Sequence, residues 1–184
     1  MSLLTHNQLL ALVESGAIRC CKKAQVGAAS IDLTLGTRIL VEAPPGGSSS
    51  VIDLMDKATP PMREVDMLKT GYFDLAPFKF CLAETVERFF LPDDVAAEVK
   101  MRSSLARSGL DHALAGWADP GFNNAVLTLE LTNSLRWHSL RLRPGLMIAQ
   151  MIFWKGEQVP AHASYAATGR YNGDTSVQAS KGAR

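Results

Sequence analysis

Two arginines bracket two serines in Arg102-Ser103-Ser104-Leu105-Ala106-Arg107. Guanidinium forks match phosphate oxygens and hydroxyls add further donors, so this short segment suits an anion such as a phosphate chain. Further along, Ala125-Val126-Leu127-Thr128-Leu129-Glu130-Leu131-Thr132-Asn133 is strand-like and carries one acid, Glu130, amid Val and Leu. Hydrocarbon surroundings disfavour the charged form of a carboxylate, which suits a general base. Between the two lies Ala115-Gly116-Trp117-Ala118-Asp119-Pro120-Gly121-Phe122, with a turn at Asp119-Pro120-Gly121 and a second acid that could meet a sugar hydroxyl. Together the three pieces point to water-driven chemistry on a nucleotide. Each also has a plainer role: Ser103 as a helix cap with solvated arginines, Glu130 as an outward residue beside Thr128 and Thr132, and Asp119 as part of a bare turn.

These residues need a frame. Thr5 can cap a helix over 5–15, with Gln8 in capping-box position, Leu9, Leu12 and Val13 on one face, and Gly16 as its stop. From Ser30 the period changes to two: Ser30-Ile31-Asp32-Leu33-Thr34-Leu35-Gly36 alternates apolar and polar residues, and Arg38-Ile39-Leu40-Val41 continues. Pro44-Pro45-Gly46-Gly47-Ser48-Ser49-Ser50 is a loop tip, and residues 51–70 carry no clear pattern. Phe78–Thr85 predicts a strand, Glu87–Asp94 an exposed connection, and Val95–Lys100 another strand. A brief helix is expected over Ser103–Ser108, ended by Gly109, with strands near 113–117, 125–132, 138–143 and 146–154. Beyond 165 the chain is rich in Ala, Gly, Thr and Ser and is expected to be a mobile arm unless a ligand or neighbour orders it. Short strands at this spacing indicate an all-β barrel or roll, without the βαβ rhythm or glycine loops of Rossmann and P-loop sites.

The 184 residues suit one domain, residues 1–184, with the arm from about 166. Nineteen basic against eighteen acidic residues leave a net charge of +1, so no long-range field favours nucleic acid or an anionic membrane, and an anion site must be local. No apolar run approaches the ~18 residues of a membrane span. Three cysteines, two of them adjacent, make no disulfide framework and suit a reducing cytoplasm. The H-x-E and P-C-x-x-C signatures of zinc deaminases are missing, so no zinc is expected.

The anion segment, the Ala115–Phe122 turn and Leu129-Glu130-Leu131-Thr132-Asn133 together resemble the dCTP deaminase family of the dUTPase-like superfamily. Ser30–Gly36, Ala83-Glu84-Thr85, Leu91-Pro92-Asp93-Asp94, Arg143–Gln150 and Arg170-Tyr171-Asn172-Gly173 follow in family order. The resemblance implies a mainly β fold: a distorted β-barrel, or β-clip, with a short N-terminal helix and one short helix after residue 102. It implies a homotrimer with active sites between subunits, and a hydrolase that turns dCTP into dUTP and ammonia for pyrimidine deoxynucleotide synthesis. Glu130 would activate the water that attacks cytosine C4, with Ser103 and Arg107 orienting water and carboxylate. Arg102, Ser103 and Ser104 would hold the phosphates, with Mg²⁺ bound through the triphosphate. Backbone groups at Ala115 would read the base, Trp117 would contact substrate, Asp119 would meet the deoxyribose, and Gln150 and Tyr171 would help close the site.

Departures cluster at the base pocket. Met101 and Asn124 stand where the family usually has Gly, Leu114 where Thr is usual, and the stretch from Leu110 to Asp119 is one residue short. Gly116-Trp117 resembles the subgroup that carries dCTP through to dUMP, whereas a His-Arg pair marks the subgroup that stops at dUTP. The alternatives are therefore a bifunctional dUMP-forming enzyme, or a non-catalytic nucleotide-binding or regulatory protein on the same fold.

Overall fold

Alternation of the side chains decides most of the architecture. In the stretch from Ile31 to Glu42, Ile31, Leu33, Leu35 and Ile39 are fully buried while Asp32, Thr34 and Arg38 face outward. The computed structural model describes residues 1–46, 51–56, 59–113 and 115–182, so Leu114 and the Gly47–Ser50 tip lie outside the described residues. In chain order the strands are β1 (Ser2–Leu3), β2 (Ile18–Arg19), β3 (Ile31–Glu42), β4 (Met62–Asp66), β5 (Phe73–Leu75), β6 (Phe80–Phe90), β7 (Val95–Met101), β8 (Leu110–His112), β9 (Trp117–Ala118), β10 (Asn123–Asn133), β11 (Leu140–Leu142) and β12 (Met147–Lys155). The helices are α1 (His6–Glu14), α2 (Met67–Thr70), α3 (Ser103–Ala106) and α4 (Tyr165–Thr168).

Ten strands form one antiparallel sheet whose main path runs β8-β10-β6-β3-β12-β7-β9, while β5 and β11 pair separately. The sheet curls into a half-barrel, the expected mainly β fold. Its inner face carries Leu33, Ile39, Ala83, Phe89, Leu129, Leu131, Met151 and Phe153, all fully buried. α1 closes one end. The Thr5 N–H donates to Gln8 Oε1 at 3.0 Å, and Gly16 leaves the helix in the left-handed region at φ 81°.

Several expectations are corrected. The Glu87–Asp94 connection is in its first half strand: β6 runs to Phe90, with Glu87 and Phe89 fully buried. A buried carboxylate is tolerable only when its oxygens are bonded, and Gln25 Nε2 donates to Glu87 Oε1 at 2.7 Å while the Thr34 N–H donates to Oε2 at 2.9 Å. The strand near 113–117 is instead two short pieces, β8 and β9, which pair with different strands, β10 and β7. Residues 62–70 hold a strand and a helical turn, and Arg102, not Ser103, is the residue before α3. Asn124 sits at φ 55°, where Asn is among the better tolerated non-glycine residues, which accounts for its presence at a usual glycine position.

Gly36 is required by packing. A Cβ there would stand 2.5 Å from Glu84 Cγ and 3.1 Å from its carbonyl oxygen, at the point where β3 slips register against β6. Gly36→Ala is expected to cost about 1–3 kcal/mol of unfolding free energy through overpacking, measured by denaturant titration. A midpoint unchanged from the parent would show that the β3 slip is more plastic than its contacts indicate.

Candidate active site

β10 supplies the chemical face. Leu127, Leu129 and Leu131 point into the core, which turns Val126, Thr128, Glu130 and Thr132 the other way. A register slip between Val126 and Thr128 is patched by Thr85, whose hydroxyl oxygen accepts the Leu127 N–H at 3.0 Å. This fixes the phase of the strand and brings Glu130 into a cavity of about 510 Å³. Phe80 and Leu82 of β6 form one wall, Ala115 and Trp117 another, and Tyr171 and Gln178 of the C-terminal arm the lid.

Glu130 is about three-quarters buried, and its Oε2 lies 3.1 Å from Nε2 of the buried His112. Neither atom is accessible to water and neither makes a hydrogen bond among the described residues, because the approach lacks hydrogen-bond geometry. A buried polar atom left unpaired costs about 1–3 kcal/mol, so this pair is unfinished rather than at rest. His112 is thereby placed against the candidate base.

The arm lies over the cavity of its own chain. The Val177 N–H donates to Glu84 Oε2 at 3.0 Å, the Gln178 N–H to Thr128 Oγ1 at 3.2 Å, and the Val126 N–H to the Asp174 carbonyl at 2.9 Å. Val177 is buried. One apolar anchor and backbone donors matched to acceptors on β6 and β10 hold a segment whose composition reads as loose. Lys181 pairs with Asp174 at 2.9 Å and stands 4.9 Å from the Tyr171 ring centroid.

Trp117 lines the cavity, leans on Trp154 at 5.9 Å between ring centroids, and donates from its indole to Asp119 Oδ1 at 2.8 Å. Asp119 therefore stands at the rim, facing a smaller hollow beside Pro120 and Thr168. Gly116 is pressed on β7: an added Cβ would meet the Val99 carbonyl oxygen at 3.0 Å. Its small size thus serves packing against Val99 as well as any space near the substrate.

The sequence-predicted set is divided between two surfaces. Glu130, Ala115, Trp117 and Tyr171 line the cavity. Arg102, Ser103, Ser104, Arg107 and Gln150 do not. Arg102 donates to Asp32 Oδ2 at 2.8 Å, and Gln150 lies in register between Asp32 of β3 and Lys100 of β7. Ser103, Ser104 and Arg107 are exposed on α3 and the residue after it, and their side chains engage no partner among the described residues. The cavity's described lining includes no Lys or Arg. One subunit thus carries a carboxylate-bearing cavity without cations and, apart from it, an unpaired hydroxyl and guanidinium cluster.

Cys21 and Cys81 are held as thiols. Burial pushes the Cys81 thiol up to about 12, and burial together with the nearby Glu87 charge pushes Cys21 up to about 11. Among the described residues no group of three or more His, Cys, Asp or Glu is gathered as a metal site, and no helix is long and apolar enough to cross a membrane.

The family model described as dCTP deaminase-like matches residues 3–156. A protein of Methanoregula boonei named dCTP deaminase, dUMP-forming, is 36% identical over 143 residues, covering 77% of this chain and 75% of its own length. A protein of the same name from Aquifex aeolicus is 34% identical over 181 residues, 97% of this chain and 94% of its own. In three dimensions the chain is similar to the 2′-deoxycytidine 5′-triphosphate deaminase of Agrobacterium tumefaciens, with a TM-score of 0.64 and 24% identity over 84% of this chain. It spans 49% of that solved chain's length.

Proposed function

The chain belongs to the dCTP deaminase-like family, and from that membership we propose that it hydrolyses dCTP at cytosine C4 with Glu130 as the general base, and carries the product on to dUMP. The observation that carries the reading is Glu130 itself: the acid of β10 that turns away from the core into a cavity large enough for a nucleoside.

Glu130 takes a proton from a water molecule as the water oxygen bonds to C4, and hands that proton to N3. It then takes the proton of the new C4 hydroxyl and delivers it to the amino group. The C4–N bond breaks, ammonia leaves and the C4 carbonyl forms. The carboxylate ends as it began. Ser103 and Arg107 orient water and carboxylate, the Ala115 backbone reads the base, and Asp119 meets the deoxyribose. Arg102, Ser103 and Ser104 hold the phosphates, and Gln150 and Tyr171 help close the site over them. Mg²⁺ arrives with the substrate on the triphosphate and offsets its charge.

This division of labour calls for a homotrimer in which the α3 cluster of one subunit faces the Glu130 cavity of the next. The separation of the two surfaces within one subunit supports it, since a cavity without cations cannot by itself retain a triphosphate. The enzyme would work in the cytoplasm on free nucleotides. Release of dUTP is the second reading. The Gly116-Trp117 pair, and relatives whose names state dUMP formation, favour the longer reaction. In it, water displaces pyrophosphate at the α-phosphorus, with Asp119 taking the water's proton from the cavity rim.

Turnover of dCTP with Mg²⁺, with dCTP, dUTP, dUMP and ammonia separated over the first cycles, tests the product. Expected is dUMP without accumulating dUTP. Asp119→Asn should suppress pyrophosphate formation ~10-fold or more beyond its effect on ammonia release. Stoichiometric dUTP in the parent protein would leave a simple deaminase.

A further inference from the structure

We propose that His112 is a positioning residue for Glu130: its imidazole holds carboxylate Oε2, so that the other oxygen is the one that carries the proton. The inference rests on the general-base reading of Glu130.

The backbone brings His112, at the end of β8, alongside the Glu130 segment of β10. β8 is an edge strand hydrogen-bonded to β10, with His112 in register with Leu131, and the Ala113 N–H donates to the Glu130 carbonyl at 3.0 Å. His112 is 5% exposed and Glu130 Oε2 is inaccessible, so water competes for neither atom. At 3.1 Å their separation is already that of a hydrogen bond, and only the angle is wrong. A small rotation of the ring or the carboxylate completes the bond and satisfies both orphaned atoms. The donor is the ring's Nε2–H. Among the described residues the carboxylate of Glu130 makes no hydrogen bond, so without His112 nothing there holds its last torsion.

That freedom matters because the proposed chemistry moves two protons through one carboxylate, from water to N3 and from the C4 hydroxyl to the leaving amine. Each transfer needs an oxygen within hydrogen-bond reach of a different atom, so the carboxylate must not swing between them. His112 does not line the cavity, and the cavity group its ring faces is Glu130.

Glutamine and asparagine variants separate a positioning role from a packing role. The terminal amide of Gln reaches the place of Nε2, whereas that of Asn ends near Nδ1. His112→Asn should lower kcat ~10- to 100-fold with KM within about 2-fold of the parent, and His112→Gln should recover most of that loss. In a Glu130→Gln background, His112→Asn should change the residual rate by less than about 2-fold, because the group it positions is gone. Nitrogen NMR of the unmutated protein gives a readout that needs no variant: His112 should carry its proton on Nε2. Parent-like kcat in His112→Asn, equal losses in Asn and Gln variants, or an Nδ1-protonated ring would overturn the role of His112 while an inactive Glu130→Gln left the base in place. Full activity in Glu130→Gln would instead overturn the base, and His112's role with it.

Discussion

Glu130→Gln is expected to lower ammonia release from dCTP by at least ~10²-fold while leaving the fold and nucleotide binding in place. Glutamine matches glutamate in shape and presents a carbonyl oxygen and an amide where the carboxylate stood. What it loses is the ability to take a proton at neutral pH. Glu130 holds the strand through its backbone, which the substitution keeps, its side chain makes no hydrogen bond among the described residues, and the outward face of β10 already carries neutral Thr128 and Thr132. Circular dichroism and thermal unfolding should therefore match the parent. Substrate affinity should also persist, because the substitution leaves the proposed phosphate ligands, Arg102 and the serines, untouched. Near-normal turnover would remove Glu130 from the chemistry.

The second large effect concerns how the site is assembled. Arg107→Ala is expected to be inactive, as Glu130→Gln is, but for a different reason and at a different surface. If each site pairs the Glu130 cavity of one subunit with the α3 cluster of its neighbour, mixing the two variants after unfolding and refolding restores complete sites. With equal amounts and random assembly, about a quarter of the sites receive an intact half from each side, and activity should return to about that fraction of the parent's. No recovery in an assembled mixture would place both halves in one subunit. Light scattering should give about three times the 19.9 kDa chain mass.

How much of this was readable in advance varied with the range of the interactions. Local signals held: the Thr5 and Gln8 pair opens α1, Gly16 follows its end, and the alternation from Ile31 became β3. The outward phase of Glu130 followed from alternation alone, whereas the positive φ of Asn124 emerged only from the structure. Where partners are distant in sequence, reading stopped. Glu87 resembled a solvent residue in a charged connection, because its partners Gln25 and Thr34 sit more than fifty residues away. The arm resembled a loose tail, because its hold depends on one valine and on the Glu84 carboxylate, 93 positions earlier. The approach of His112 to Glu130 was hidden because the register of a three-residue strand cannot be read from composition. The division of the candidate site between two surfaces was likewise hidden in a linear motif. Adjacency of Arg102 to Ser104 says what they can bind, and says nothing of which cavity they face.

The central claim, that water replaces the cytosine amino group under the control of Glu130, is tested most directly by a single turnover of dCTP in heavy-oxygen water. Uracil nucleotide and ammonia should form in equal amounts, with one heavy oxygen at C4 of the base, and Glu130→Gln should yield neither on the same timescale. Nucleotide that binds but returns as unlabelled dCTP, with no ammonia released by the parent protein, would contradict the account and leave a nucleotide-binding protein without this chemistry.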